Sequence, residues 1–365
     1  MVSERYLARL ARAADEAEEA GLAAILVTPS PDLVYLTGYD PPPLERLTLL
    51  ALVPGRDPVL LAPELERARA LHSPVGDRLE VETWSDGQDP YAAAARLLPA
   101  GDAYAATDRM WAAHLMGLQG ALPDAAFVPA SPVLSRLRAV KDDHELELLS
   151  RAARGADESF RRIVQLRLEG QREEEVARCL SELLVEHGHD RAELTIVASG
   201  PNGASPHHKP GGRTLRPGDP VVMDFGGALA GYFSDTTRTV CLGEPPPGFL
   251  EVYELVREAQ EEAFRAVAPG VPAREVDRAA RDVIERGGYG DRFIHRTGHG
   301  IGLEVHEPPY IVEGNEDPLL PGMCFSIEPG IYLEGQFGVR IEDIVTVTAE
   351  GGARLNRTSR ALCRL

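Results

Sequence analysis

The chain has 365 residues, 44% hydrophobic and 26% charged, which suits a soluble globular protein of one large or two smaller domains. Its formal charge of −19 argues against a nucleic-acid partner, because phosphate backbones are bound by basic faces. The acidic N-terminus MVSERYLARLARAADEAEEAG lacks an apolar leader core, and no run of 18 apolar residues follows, so neither a signal peptide nor a membrane span is expected.

Leu7, Leu10, Ala13 and Ala17 form an apolar stripe at helical spacing, and Gly21 ends that helix. Leu22–Thr28 reads as a buried strand. Leu47–Val53 and Pro58–Leu61 read as two more strands around the turn Pro54-Gly55-Arg56-Asp57, with helices near 64–71 and 90–98. This is an α/β pattern without a glycine-rich phosphate loop after its first strand. The pattern changes near Ser131-Pro132. A domain boundary is placed at 135, giving domains 1–135 and 136–365. Helices are expected from Lys141, over 173–187, 249–267 and 273–286. Cys179, Cys241, Cys324 and Cys363 have no CxxC spacing and read as reduced, buried thiols, which fits a cytoplasmic location.

Two hairpins then carry paired acids. Val221–Gly226 reads as a strand holding Asp224 among apolar residues, and Tyr232–Val240 as its return, holding Asp235. Folding about Leu229-Ala230 would set the two aspartates opposite each other. Met323–Glu328 and Gly338–Val345 repeat the arrangement with Glu328 and Glu342. One such acid alone reads as a turn residue or a salt-bridge partner. Two hairpins with paired acids require a compensating charge. Four carboxylates balance two divalent cations. His299 sits among glycines in Arg296-Thr297-Gly298-His299-Gly300-Ile301-Gly302, where close backbone approach can aim an imidazole into a crowded site. His306 follows in a segment that is not HExxH, because Tyr310 stands at the second His position. His207 and His208 lie in a glycine-containing loop before the first hairpin. His72, His114, His187 and His189 are given structural roles. One imidazole with several carboxylates suits Mn²⁺, Co²⁺, Zn²⁺ or Fe²⁺.

The stretches ASGPNGASPH, VVMDFGG, YFSDTTRT, GHGIGLEVHEPP, FSIEPGIY and GVRIEDIV occur in that order. Together they resemble the dinuclear metallopeptidases that include Xaa-Pro dipeptidase (prolidase), Xaa-Pro aminopeptidase and methionine aminopeptidase. PDLVYLTGYD adds a likeness to the prolidase branch. The resemblance implies an α/β (α+β) chain: a creatinase-like N-terminal domain followed by a pita-bread catalytic domain. It implies Asp224, Asp235, His299, Glu328 and Glu342 as ligands of two metal ions, Mn²⁺ foremost, with Asp235 and Glu342 bridging. It also implies a homodimer.

By the same resemblance, a hydroxide bridging the metals would cleave the Xaa-Pro bond of a dipeptide or a peptide N-terminus. Glu328 would relay the proton. His207 and His306 would donate hydrogen bonds to the substrate. Arg340 would either pair with a substrate carboxylate or, as favoured, orient Glu342. Hydrolysis or lysis of a small non-peptide metabolite on the same centre is the alternative, and a silent scaffold is the third reading. Retention of all five ligands disfavours the scaffold.

Overall fold

The structure is a computed structural model and describes residues 2–365. It divides into two compact units, one ending at Arg138 and one running from Ala139 to Leu365.

The first unit is built on a six-stranded mixed sheet of β1 (Ala24–Val27), β2 (Leu49–Leu52), β3 (Val59–Pro63), β4 (Glu80–Trp84), β5 (Ala103–Ala106) and β6 (Ala126–Pro129). Their order is β4-β3-β2-β1-β5-β6. All four residues of β1 are buried, as a central strand covered on both faces requires. The helix Pro31–Thr37 ends at Gly38, whose φ of 69° is left-handed. All but the last residue of the helix Ser131–Ala139 belongs to this unit. Tyr35 donates to the Leu137 carbonyl at 3.0 Å, and Arg138 pairs with Asp32 at 2.8 Å. These bonds explain why the unit ends at Arg138, beyond the change of pattern at 131.

The second unit stacks two helix pairs on two curved sheets. Asp142 and Glu145 form a reciprocal capping box that starts the helix Asp143–Ile163. Its partner is Glu173–Glu186. The other pair is Phe249–Arg265 with Ala273–Arg286. One sheet contains β7 (Arg191–Ser199), β8 (Pro220–Leu229), β9 (Tyr232–Phe233) and β10 (Thr236–Cys241). The other contains β11 (Gly298–Gly300), β12 (Glu307–Ile311), β13 (Cys324–Ile327), β16 (Asp343–Thr348) and β17 (Gly351–Arg354). A short hairpin of β14 (Gly330–Leu333) and β15 (Phe337–Arg340) extends from β13 and β16. β18 (Cys363–Arg364) pairs with β10.

Strand alternation sorts core from site. In β8, Val221, Met223 and Phe225 pack with Val176, Leu180 and Leu184 of the helix Glu173–Glu186. Each such buried aliphatic side chain contributes about 1.5–3 kcal/mol. Val222 and Asp224 face the other way, with Ile196 and Ala198 of β7 beside Val222. In β13 and β16, Phe325, Ile327, Val345 and Val347 join the larger core. The even-numbered residues of both strands point away from it.

The first hairpin departs from the expected register. Its turn is Ala230-Gly231, with φ of 50° and 85° and Leu229 paired to Tyr232. This centres the hairpin one residue later than Leu229-Ala230. Asp224 therefore faces Thr237, and Asp235 is its diagonal neighbour on the same face. The return strand is also broken at Ser234-Asp235, where Ser234 Oγ accepts from the Gly227 amide at 3.2 Å and bonds His189 Nε2 at 2.7 Å. In the second hairpin β13–β16 and β14–β15 share one register, Ile327 to Asp343 and Gly330 to Arg340. Continuing it across the interruption sets Glu328 against Glu342.

Close approach is demanded at Gly226, where an added Cβ would lie 1.9 Å from the Ser234 carbonyl oxygen. Gly226→Ala is expected to destabilise the protein by about 1–3 kcal/mol. Gly212→Ala, with nothing within 4 Å, should stay within about 0.5 kcal/mol. Denaturant unfolding of the two variants checks both values.

Candidate metal centre

Three chain segments converge where the second hairpin opens. Pro329 supplies no amide, and the ladders are interrupted at Glu328-Pro329 and Ile341-Glu342. The freed amides bond elsewhere. Glu328 N–H donates to Thr297 O at 2.8 Å, and Glu342 N–H to Thr237 O at 3.0 Å. The opened hairpin is thus stitched to the His299 segment on one side and to the Asp235 hairpin on the other.

Asp224, Asp235, His299 and Glu342 are buried, and Glu328 is partly exposed. Their donor atoms form overlapping groups, each within 4.8 Å: Asp224, Asp235 and Glu342; His299, Glu328 and Glu342; Asp235, His299 and His306. Asp224 Oδ2 accepts from Arg340 Nη2 at 2.6 Å, and Glu342 Oε2 from Thr237 Oγ1 at 2.7 Å. The remaining oxygens, Asp224 Oδ1, Asp235 Oδ1 and Glu342 Oε1, are buried with no hydrogen-bond partner. Three orphaned acid oxygens in one place would be costly in a finished site.

The imidazole repeats the pattern. His299 Nδ1 lies 3.1 Å from the Gly300 carbonyl, a contact that requires its N–H. Nε2 then turns its lone pair toward Glu328 Oε1 at 3.1 Å and Asp235 Oδ2 at 3.8 Å. A ring nitrogen and carboxylate oxygens that face one another in this way fit a shared cation. The donor set therefore suits divalent metal ions.

Electrostatics agree. Burial, then the charges of Asp224 and Glu328, push the Asp235 pKa up; burial, then Asp235 and Glu328, do the same to Glu342. Burial would also raise Glu328, but a proton on His299 Nε2 in place of a metal ion would donate to this acid and, with its charge, hold it at about 2. His306, exposed at the cavity, packs its ring against that of His299, with centroids 4.0 Å apart and planes tilted by 52°. Loss of hydration, then the charges of His299 and Arg296, push its pKa down to about 4.

The acids floor a cavity of about 700 Å³. His207, His306 and Arg340 also line it, with Leu194, Ile196 and Ile294 as its apolar wall. His208 lies elsewhere, bonded to Glu173 at 2.8 Å. Arg340 sits between the acids. It is buried and fully engaged, donating from Nε to Thr237 Oγ1 at 3.1 Å, from Nη1 to Tyr332 Oη at 2.9 Å, and from Nη2 to Asp224. It holds Asp224 directly and Glu342 through Thr237, and it also lines the cavity. Cys324 is fully buried in a core with Leu149 and Ile344, while Cys179 and Cys363 are only half-buried, contrary to expectation; all four cysteines are free. His189 bonds the Leu184 carbonyl and Ser234, a structural role beside Asp235.

Thr237, Tyr332, His295 and Arg296 were not singled out from sequence. His295 Nε2 and Tyr332 Oη are 2.8 Å apart, which extends the Arg340–Asp224 chain. The one signal for Thr237 was polarity inside an otherwise buried strand. Arg296 lines the cavity, holds its guanidinium 4.4 Å from the Tyr310 ring centroid and makes no ion pair among the described residues.

Comparison with known proteins decides the family. Residues 147–349 match metallopeptidase family M24, and residues 9–140 match the creatinase/prolidase N-terminal domain. The chain belongs to metallopeptidase family M24. It is a peptidase with a creatinase-like N-terminal domain and a pita-bread domain. It is 45% identical to a probable dipeptidase, PepE, of Mycobacterium tuberculosis, over 97% of this chain and 95% of that one. Among solved structures, dipeptidase PepE from Mycobacterium ulcerans superposes with a TM-score of 0.96 at 45% identity, covering 100% and 99% of the two chains. A prolidase from Thermococcus sibiricus gives 0.92 at 41% identity, covering 99% of each. No helix among the described residues is long and apolar enough to cross a membrane.

Metal removal should expose the charge conflict. Treating metal-loaded protein with chelator is expected to lower its Tm, and Mn²⁺ should restore it, as for any ligand held only by the folded state. Scanning calorimetry before and after chelation reads this directly.

Proposed function

We propose that this M24 peptidase is an Xaa-Pro dipeptidase. The convergence of orphaned acid oxygens with His207, His306 and an unpaired arginine on one cavity carries the proposal. Asp224, Asp235, His299, Glu328 and Glu342 would hold two divalent cations, with Mn²⁺ preferred on a donor set of one imidazole and four carboxylates. Bound there, the cations supply an acidified water and an electrophile for the scissile carbonyl.

The chain's own groups do the rest. Glu328 is the acid open to the cavity, so it carries the proton from the attacking water to the leaving nitrogen. His207 and His306 donate to the carbonyl oxygen as it gains charge. Arg340 locks Asp224, and Thr237 locks Glu342, so neither carboxylate has to reorganise during the reaction. The imide before proline has no N–H to offer. Leu194, Ile196 and Ile294 give its pyrrolidine ring an apolar wall. Arg296 is the cavity's uncommitted cation, so it receives the carboxylate that a dipeptide carries beside that ring.

Free cysteines fit a reducing, cytoplasmic setting. Exposed Trp111 and Met116 in the N-terminal unit are apolar surface of the kind a homodimer covers, which light scattering would test.

Two kinetic outcomes follow. Chelated protein restored with Mn²⁺ should hydrolyse Ala-Pro, and Asp235→Asn or Glu342→Gln should lose bound metal and at least about 10³-fold in kcat. If neither Mn²⁺ nor Co²⁺ supports cleavage of any Xaa-Pro substrate, the proposal is wrong. Arg296→Ala should raise KM for Ala-Pro about tenfold or more, the value of a charge-assisted bond, and leave Ala-Pro-amide almost unchanged. Equal effects on both substrates would remove Arg296 from carboxylate recognition.

A further inference from the structure

The loop that brings His207 to the cavity is gripped by one buried carboxylate remote from the acid cluster. Glu173 opens the helix Glu173–Glu186, and its side chain has no exposure. Its Oε1 accepts from the Ser199 amide at 2.8 Å, from Ser199 Oγ at 2.7 Å and from Asn202 Nδ2 at 3.0 Å. Its Oε2 takes His208 Nε2 at 2.8 Å and the Gly211 amide at 3.4 Å. One carboxylate thus receives both ends and two interior side chains of the segment 199–211.

A fully buried acid is expensive to keep, and here every bond it makes goes to that segment. Between the grips, Ser205 N–H donates to Asn202 O at 3.0 Å and His208 N–H to Ser205 O at 3.2 Å. These bonds close a turn whose remaining residues, Ser205, Pro206 and His207, line the cavity. The other side of the loop is held by backbone. Gly203 abuts Gly338, where an added Cβ would sit 1.9 Å from the Gly203 carbonyl oxygen. The two adjacent histidines therefore part: His208 turns to Glu173 and His207 turns to the cavity.

We infer that Glu173 and His208 are positioning residues, a clamp that fixes His207 where it meets substrate. Neither lines the cavity, so their influence runs through His207. The inference rests on the role proposed for His207.

A double-mutant cycle on full-length, Mn²⁺-loaded protein with Ala-Pro separates the possibilities. His208→Leu is expected to lower kcat about 10- to 100-fold, the scale of a misplaced catalytic contact, with metal content unchanged by mass spectrometry. His208→Gln keeps a donor for Glu173 and should recover most of that loss. In a His207→Ala background, His208→Leu should add less than about twofold. Asn202→Ala, which leaves the His208 bond in place, should give a smaller loss of the same kind and serves if His208→Leu does not fold. Hydrogen exchange across residues 199–211 should accelerate in these variants while the acid-bearing strands stay protected. Multiplying effects of the two histidine changes, equal behaviour of Leu and Gln at 208, or unchanged loop exchange would each overturn the clamp. An inactive wild type, or an unimpaired His207→Ala, would instead count against the functional reading, and the exchange data would still judge the clamp.

Discussion

The organising constraint of this protein is charge compensation in a buried space. Asp224, Asp235, Glu328 and Glu342 arrive on two hairpins, and three of their oxygens meet no donor from the protein. Like charges at this spacing oppose folding unless a cation or a proton intervenes. Arg340 supplies one positive charge, and it is wholly spent on Asp224, Tyr332 and Thr237. The fold around the acids must oppose that repulsion. Strand alternation, the Ala230-Gly231 turn and the stitched hairpin each fix one or more of the acids in place.

Much of this was legible in the chain. The acids could be found because each lies in or next to a short strand whose two-residue period tells which side chains share a face. Glu328 and Glu342 face each other as their spacing implied. The pair Asp224 and Asp235 was harder, because a hairpin register depends on a single turn residue. Ala230 at φ 50° carries no glycine signature, so the centre was displaced by one position and the direct pairing by two. The shared face survived, since a shift of two keeps the parity.

What was not legible depended on distant partners. Arg340 lies two residues from Glu342, and proximity in sequence suggested that acid; the sheet instead turns its guanidinium onto Asp224 and Tyr332. Glu173 looks like any acid in the first turn of a helix until the loop 199–211 is folded over it. In the N-terminal unit, β4 and β6 are partly exposed at the sheet edges, and β5 is Ala-Tyr-Ala-Ala, so none carries the continuous Leu, Ile and Val run that marked β1 to β3. Those strands are set by pairing with a neighbour.

The interrupted hairpin has a corollary for insertions. β13–β16 and β14–β15 run in one register on either side of the gap. Residues added in equal number to both arms beyond Leu333 and Phe337 would lengthen the finger without moving either glutamate. An unpaired insertion between Ile327 and Gly330 would throw the two acids out of step. Added length is therefore cheap at the fingertip, while the root of the finger tolerates almost none.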